Sequence, residues 1–136
     1  MSLLTWTDRL TVGVEGLDDD HRKLLGMMNE FDDGIAAGQD KEALGKILDR
    51  LVDYTQIHFH REEQMFALTG YEAALSHRQE HDDLTRQMVE VQRKYNASGG
   101  DILPGEVMSF LKKWLVHHIL GSDRKYGPHL NSNGVL

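Results

Sequence analysis

The chain has 136 residues, 27% charged beside 40% hydrophobic, with a formal net charge of −7 when histidine is neutral. That is enough chain for one domain with its own core, and an acidic balance without a Lys/Arg run argues against nucleic acid or anionic membrane as a partner. Cysteine is absent, which excludes disulfides, thiolate zinc and iron–sulfur ligation, and cysteine nucleophiles.

No stretch reaches the roughly 18 apolar residues of a membrane span. The start, MSLLTWTDRL, lacks the basic-then-apolar order of a secretory signal. The sequence therefore reads as soluble and cytoplasmic. Its one compositional anomaly is eight histidines beside two prolines.

Residues 1–17 lack a helical period, and we expect an extended arm packing Leu4, Trp6, Leu10, Val12 and Val14 onto the rest. Asp18–Asp20 suit an N-cap and first turn, so a first helix is expected from there to about Ala37, with Leu24, Met28, Phe31 and Ile35 on one stripe and His21 on the same stripe. After a turn at 38–41, a second helix is expected from about Glu42 to Leu68. Its inner face carries Leu44, Ile47, Leu51, Tyr54, His58, Glu62 and Met65, and Gly70 ends it.

The third expected helix, about Glu72 to Asn96, alternates Ala74, His77, His81, Leu84, Met88, Val91 and Tyr95 by threes and fours. A flexible loop at 96–101 precedes Pro104, which opens a fourth helix at the position where proline is tolerated. Val107, Phe110, Leu111, Trp114, Leu115 and His118 form its expected buried face. The tail after Asp123 reads as frayed beyond Leu130. The fold class is all-α: an up-down-up-down four-helix bundle with an extended N-terminal arm. Residues 1–136 form one expected domain, with the arm at 1–17, the bundle at 18–123 and the tail at 124–136.

Every expected helix carries a histidine on its apolar stripe: His21, His58, His77 with His81, and His118. A lone histidine there is more often a satisfied core residue than a ligand. Five of them over four helices, beside Glu62, are different. Burying Glu62 unpaired would cost several kcal/mol or force its protonation, and a shared cation resolves this by using every lone pair. His58–Glu62 and His77–His81 are i,i+4 pairs, so each offers two donor atoms to one point. Imidazole and carboxylate without thiolate suit iron, zinc or copper better than magnesium or calcium. His60, His117 and His129 fall off these stripes or in the tail and read as surface or rim residues.

The order His21, His58-xxx-Glu62, His77-xxx-His81, His118-xxxx-Asp123 resembles the hemerythrin family, as do LTWTDRLTVGV, DDDHRKLL, HFHREEQMF and KWLVHHILGSD, and the likeness spans residues 4–126. The resemblance implies a non-haem site of two iron ions bridged by an oxo or hydroxo group. In it, His77, His81 and His118 would hold one iron, His21 and His58 the other, and Glu62 and Asp123 would bridge them. Dioxygen would bind end-on at the open position of the second iron and be reduced there to a hydroperoxide. The bridging hydroxide would supply the proton and reclaim it on release.

His118 and Asp123 are five residues apart, about 140° on a regular helix, so a π-bulge or helix break is expected near Gly121. Trp114, Leu115 and Ile119 read as core residues that also wall the dioxygen pocket.

Two carboxylates against two divalent ions make a site poor in negative charge, and Glu-x-x-His motifs are absent. Reversible dioxygen binding by a carrier, store or donor is therefore favoured over oxygenation of a substrate, and no enzyme activity is expected. An iron- or oxygen-responsive sensor and a peroxide- or nitric-oxide-consuming di-iron enzyme are the alternatives. A monomer is expected, with dioxygen as its ligand, no room for an output domain, and an unidentified oxygen-consuming protein as a candidate partner.

Overall fold

The computed structural model describes residues 5–97 and 102–136. Leu4 and residues 98–101 of the expected loop lie outside the described residues. In chain order, a short 3₁₀ turn (Asp8–Leu10) precedes α1 (Glu15–Ala36), α2 (Lys41–Thr69), α3 (Ala74–Ala97) and α4 (Pro104–His118); a π-helical segment (Ile119–Asp123) then runs straight into α5 (Arg124–Ser132). The helix α1 packs on α2 and α4, and α3 packs on the same two, which is the square of an up-down-up-down bundle.

The ends of the helices follow from local chemistry. Asp40 caps α2 by accepting the Ala43 N–H at 2.8 Å. Gly70 closes that helix in the left-handed region, at φ 67. Pro104 occupies the first turn of α4, where its missing N–H costs nothing.

The first helix begins earlier than its acidic run suggests, at Glu15 rather than within Asp18–Asp20. Those aspartates have other partners. Asp18 accepts the Val12 N–H at 2.8 Å and the Thr11 hydroxyl, tying the arm down. Asp20 turns into the bundle and is 1% exposed.

Leu24, Met28, Phe31, Leu44, Leu48, Leu51, Met88, Tyr95, Val107, Met108 and Leu111 fill one end of the bundle, all buried. Each such side chain contributes about 1.5–3 kcal/mol relative to exposure. Met108 takes an inner position expected of Phe110, which instead lies at the edge of an open groove beside Trp114 and Leu120. Antiparallel alternation places the start of α1, the end of α2, the start of α3 and the end of α4 together at the other end. All the inward histidines belong to those stretches.

The arm and α5 close that end. Leu10, Val12 and Val14 are buried as expected, and Trp6 is half-buried beneath the Arg22 guanidinium. The tail is not frayed beyond Leu130. It is helical to Ser132, with Tyr126, Gly127 and Leu130 buried, and the Asn131 amide donates to the Gly13 carbonyl at 2.9 Å. Turn signals in Gly127-Pro128 concealed a packed helix, because proline within α5 leaves its apolar face intact.

A Cβ built at Gly127 would lie 2.1 Å from the Val12 carbonyl oxygen, so arm and helix touch backbone to backbone. Gly127→Ala should therefore destabilise the protein by about 2 kcal/mol through overpacking, read as a lower urea midpoint. An unchanged midpoint would show that the arm yields freely.

Candidate metal centre

The residues His21, His58, Glu62, His77, His81, His118 and Asp123 come from four different stretches of chain and are each at most 4% exposed. Their donor atoms fall into two groups, each within 4.8 Å, that could hold a metal ion: Glu62, His77, His81, His118 and Asp123 in one, His21, His58, Glu62 and Asp123 in the other. Both carboxylates belong to both groups.

Each carboxylate divides its oxygens between the two. Glu62 Oε1 lies 3.0 Å from His81 Nε2 and 3.5 Å from His77 Nε2. Its Oε2 lies 3.2 Å from His58 Nε2 and 3.8 Å from His21 Nε2. Asp123 Oδ1 is 3.0 Å from both His77 Nε2 and His118 Nε2, while Oδ2 is 3.1 Å from His21 Nε2.

The π-helical segment is what lets His118 and Asp123 meet. The Arg124 N–H bonds back to the Ile119 carbonyl, five residues earlier, and this wider turn returns Asp123 to the face of His118. The break expected near Gly121 is there.

Three of the histidines are oriented from behind. His58 Nδ1 is 2.9 Å from Asp20 Oδ2, His81 Nδ1 is 2.8 Å from Glu63 Oε2, and His118 Nδ1 is 2.6 Å from Glu80 Oε1. A protonated Nδ1 donating outward leaves the Nε2 lone pair facing inward, and raises the basicity of that nitrogen. The three acids are themselves held: Asp20 by the Tyr54 hydroxyl at 2.8 Å and by Arg61, Glu80 by the Ser122 hydroxyl at 2.7 Å, and Glu63 by Arg78 at 3.8 Å. These acids stood near the histidines in the sequence, yet spacing alone could not select among them.

The inward atoms have no such partners. Among the described residues, His21 Nε2, His58 Nε2, His77 Nε2, His81 Nε2, His118 Nε2, Glu62 Oε1 and both Asp123 oxygens are buried without a hydrogen-bond partner. Buried nitrogens and carboxylate oxygens converging in a dry space are costly unless positive charge, a metal ion or protons on the imidazoles, lies between them. A cation fits the donor set, because it accepts from every one of them.

In the metal-free protein the opposing charges compensate one another. Burial disfavours the charged form of His58, but the Glu62 and Asp20 carboxylates overcome it and lift the imidazole to about 10. His118 rises to about 10 in the same way, with Asp123 and Glu80 outweighing burial, and His77 to about 9. Burial alone would raise Glu62, yet the surrounding imidazoles hold it well below the usual carboxylate range.

Aromatic rings wall the centre. Phe59 stacks on His81 with centroids 3.8 Å apart, and Trp114 lies parallel to His118 at 6.1 Å. Phe66 meets His77 edge-on at 4.9 Å. Trp114, Leu115 and Ile119 are 7%, 1% and 0% exposed. Two close neighbours were missed in the sequence. Phe59 sits between the His58 and His60 positions, and Tyr126 lies in the supposed tail; its hydroxyl donates to Glu62 Oε2. His60 and His117 are exposed, and His129 bonds Thr69 at the rim.

The family model described as the hemerythrin HHE cation-binding domain matches residues 12–130. The chain is 35% identical over 133 residues to the bacteriohemerythrin of Methylococcus capsulatus (strain Bath), covering 97% of this chain and 100% of that one. It is 30% identical to the bacteriohemerythrin of Stenotrophomonas maltophilia (strain R551-3), covering 98% and 85% of the two chains. A solved wild-type hemerythrin superposes with a TM-score of 0.85 at 35% identity, over 95% of this chain and 98% of that one.

Metal ligation requires neutral imidazole, while His58, His77 and His118 are held charged at neutral pH without metal. Metal uptake at pH 7 should therefore release protons from these imidazoles, and apparent affinity should rise with pH until roughly 9 to 10. Calorimetry in buffers of differing ionisation enthalpy measures this. Uptake without proton release would show that the imidazoles are already neutral.

Proposed function

The chain belongs to the hemerythrin family, and from that premise we propose that it binds dioxygen reversibly at a non-haem centre of two iron ions. The observation that carries the reading is the convergence of orphaned imidazole and carboxylate atoms between two donor groups that share Glu62 and Asp123.

His77, His81 and His118, with Glu62 Oε1 and Asp123 Oδ1, would hold one ion. His21 and His58, with Glu62 Oε2 and Asp123 Oδ2, would hold the other. The first group offers five protein donors and the second four, so the His21–His58 group would leave more room for an external ligand. Iron, when bound, supplies the electrons that dioxygen binding takes up and returns.

The protein's own part is to hold, orient and keep dry. Asp20, Glu63 and Glu80 fix three imidazoles with Nε2 inward, which removes rotamer freedom from the site before any metal arrives. Phe59 and Trp114 set hydrocarbon against His81 and His118, and Leu115 and Ile119 flank His118 in sequence and are buried with it. Such a wall keeps water, and the protons it carries, away from the donor atoms. With only two carboxylates among seven ligands, the centre is poor in anionic donors, which disfavours the high-valent iron that substrate oxygenation needs. We read the chain as one domain and as a non-catalytic carrier, store or donor of dioxygen.

Anaerobic reduction of the purified iron protein followed by cycles of air and deoxygenation tests this reading. A visible charge-transfer band that appears and disappears over repeated cycles is expected, with two irons per chain by metal analysis. Absence of iron, or irreversible bleaching in the first cycle, would overturn it. Leu115→Asn, which introduces a polar group into the dry wall, should speed autoxidation about tenfold, or ~1.4 kcal/mol in barrier. An unchanged autoxidation rate would remove Leu115 from the wall.

A further inference from the structure

Tyr126 is 0% exposed, and its hydroxyl donates to Glu62 Oε2, one of the two shared-carboxylate oxygens. Oε2 is the oxygen on the His21–His58 side. Oε1, on the His77–His81 side, accepts no hydrogen bond. We propose that Tyr126 is a positioning residue that sets which Glu62 oxygen serves which half of the centre and makes the His21–His58 half the weaker holder of its ion. The inference rests on the two-ion reading above.

The tyrosine has little freedom to do anything else. Its ring meets Phe66 at 5.4 Å and His77 at 5.7 Å. The neighbouring Gly127 is pressed beneath the Val12 carbonyl, which fixes the height of α5 against the arm. The hydroxyl proton is directed at Glu62 Oε2, which is within hydrogen-bond reach. A donor on one oxygen of a carboxylate draws electron density from that oxygen and leaves the other the better ligand.

The histidines add a smaller difference of degree: two of the three imidazoles on the other half have an acid at Nδ1, against one of two here, His58 with Asp20. His81 and His118, on the other half, each have a carboxylate at Nδ1 that raises their basicity. His21 has none: its Nδ1 is buried without a hydrogen-bond partner. Each half has one histidine without a carboxylate at Nδ1 among the described residues, His21 on this side and His77 on the other, so what sets the His21–His58 half apart is its smaller donor set and its one carboxylate oxygen already engaged.

Competition of metal-free protein with a chromophoric chelator for cobalt(II) reads the two affinities without dioxygen or turnover. The wild type should bind one ion tightly and a second weakly. Tyr126→Phe frees the Glu62 oxygen from a competing hydrogen bond and should tighten the weak site by roughly tenfold, the size of one hydrogen bond to a charged group, leaving the tight site in place, so the two affinities converge. Incorporating 3-fluorotyrosine at position 126 keeps the shape and strengthens the donor; the affinities should then move further apart. An unchanged ratio in either variant, or an equal fall at both sites in Tyr126→Phe, overturns the positioning role and leaves Tyr126 a packing residue. Binding of fewer than two ions by the wild type overturns the two-ion reading instead, and this inference with it.

Discussion

Glu62 and Asp123 are two fully buried carboxylates set between five imidazoles, and the rest of the molecule is arranged to make that tolerable. Burying either alone would cost several kcal/mol. Together, with each oxygen committed to a different histidine group, they define two adjoining donor sets from one cluster. The remaining features follow from holding this arrangement. Four helices must converge at one end, their imidazoles must face inward, and water must be kept out.

That requirement divides the bundle along its length. One end is ordinary hydrocarbon, with Leu24, Phe31, Leu48, Met88 and Leu111 packed between helices. The other replaces hydrocarbon by lone pairs, and so needs outer partners and a lid. Asp20, Glu63 and Glu80 orient the imidazoles. The arm and α5 cover the end, joined at Gly127 and Asn131. A metal ion held by these residues would couple its binding to folding, because no two-helix fragment contains either donor set.

Much of this was legible in the sequence because helical period and ligand spacing are local properties. The steps of three and four that place Leu24, Met28 and Phe31 in the core also place His21 there. The five-residue spacing of His118 and Asp123 conflicts with a regular helix, and the conflict located the π-helical segment. What was not legible depends on contacts across the fold. Asp18 looked like a helix cap and instead binds the arm. Tyr126 sat among turn signals, and only docking of α5 brings its hydroxyl to Glu62. Asp20, Glu63 and Glu80 were indistinguishable by sequence from neighbouring solvated acids, since the choice is made by histidines on other helices.

The central claim is that seven residues hold two iron ions through shared carboxylates. Anomalous diffraction at the iron edge from crystals of the iron-loaded protein tests it most directly. The account predicts two peaks about 3.5–4 Å apart, one bounded by His77, His81 and His118 and the other by His21 and His58, with Glu62 and Asp123 between them. A single peak, or iron bound away from these residues, would contradict it.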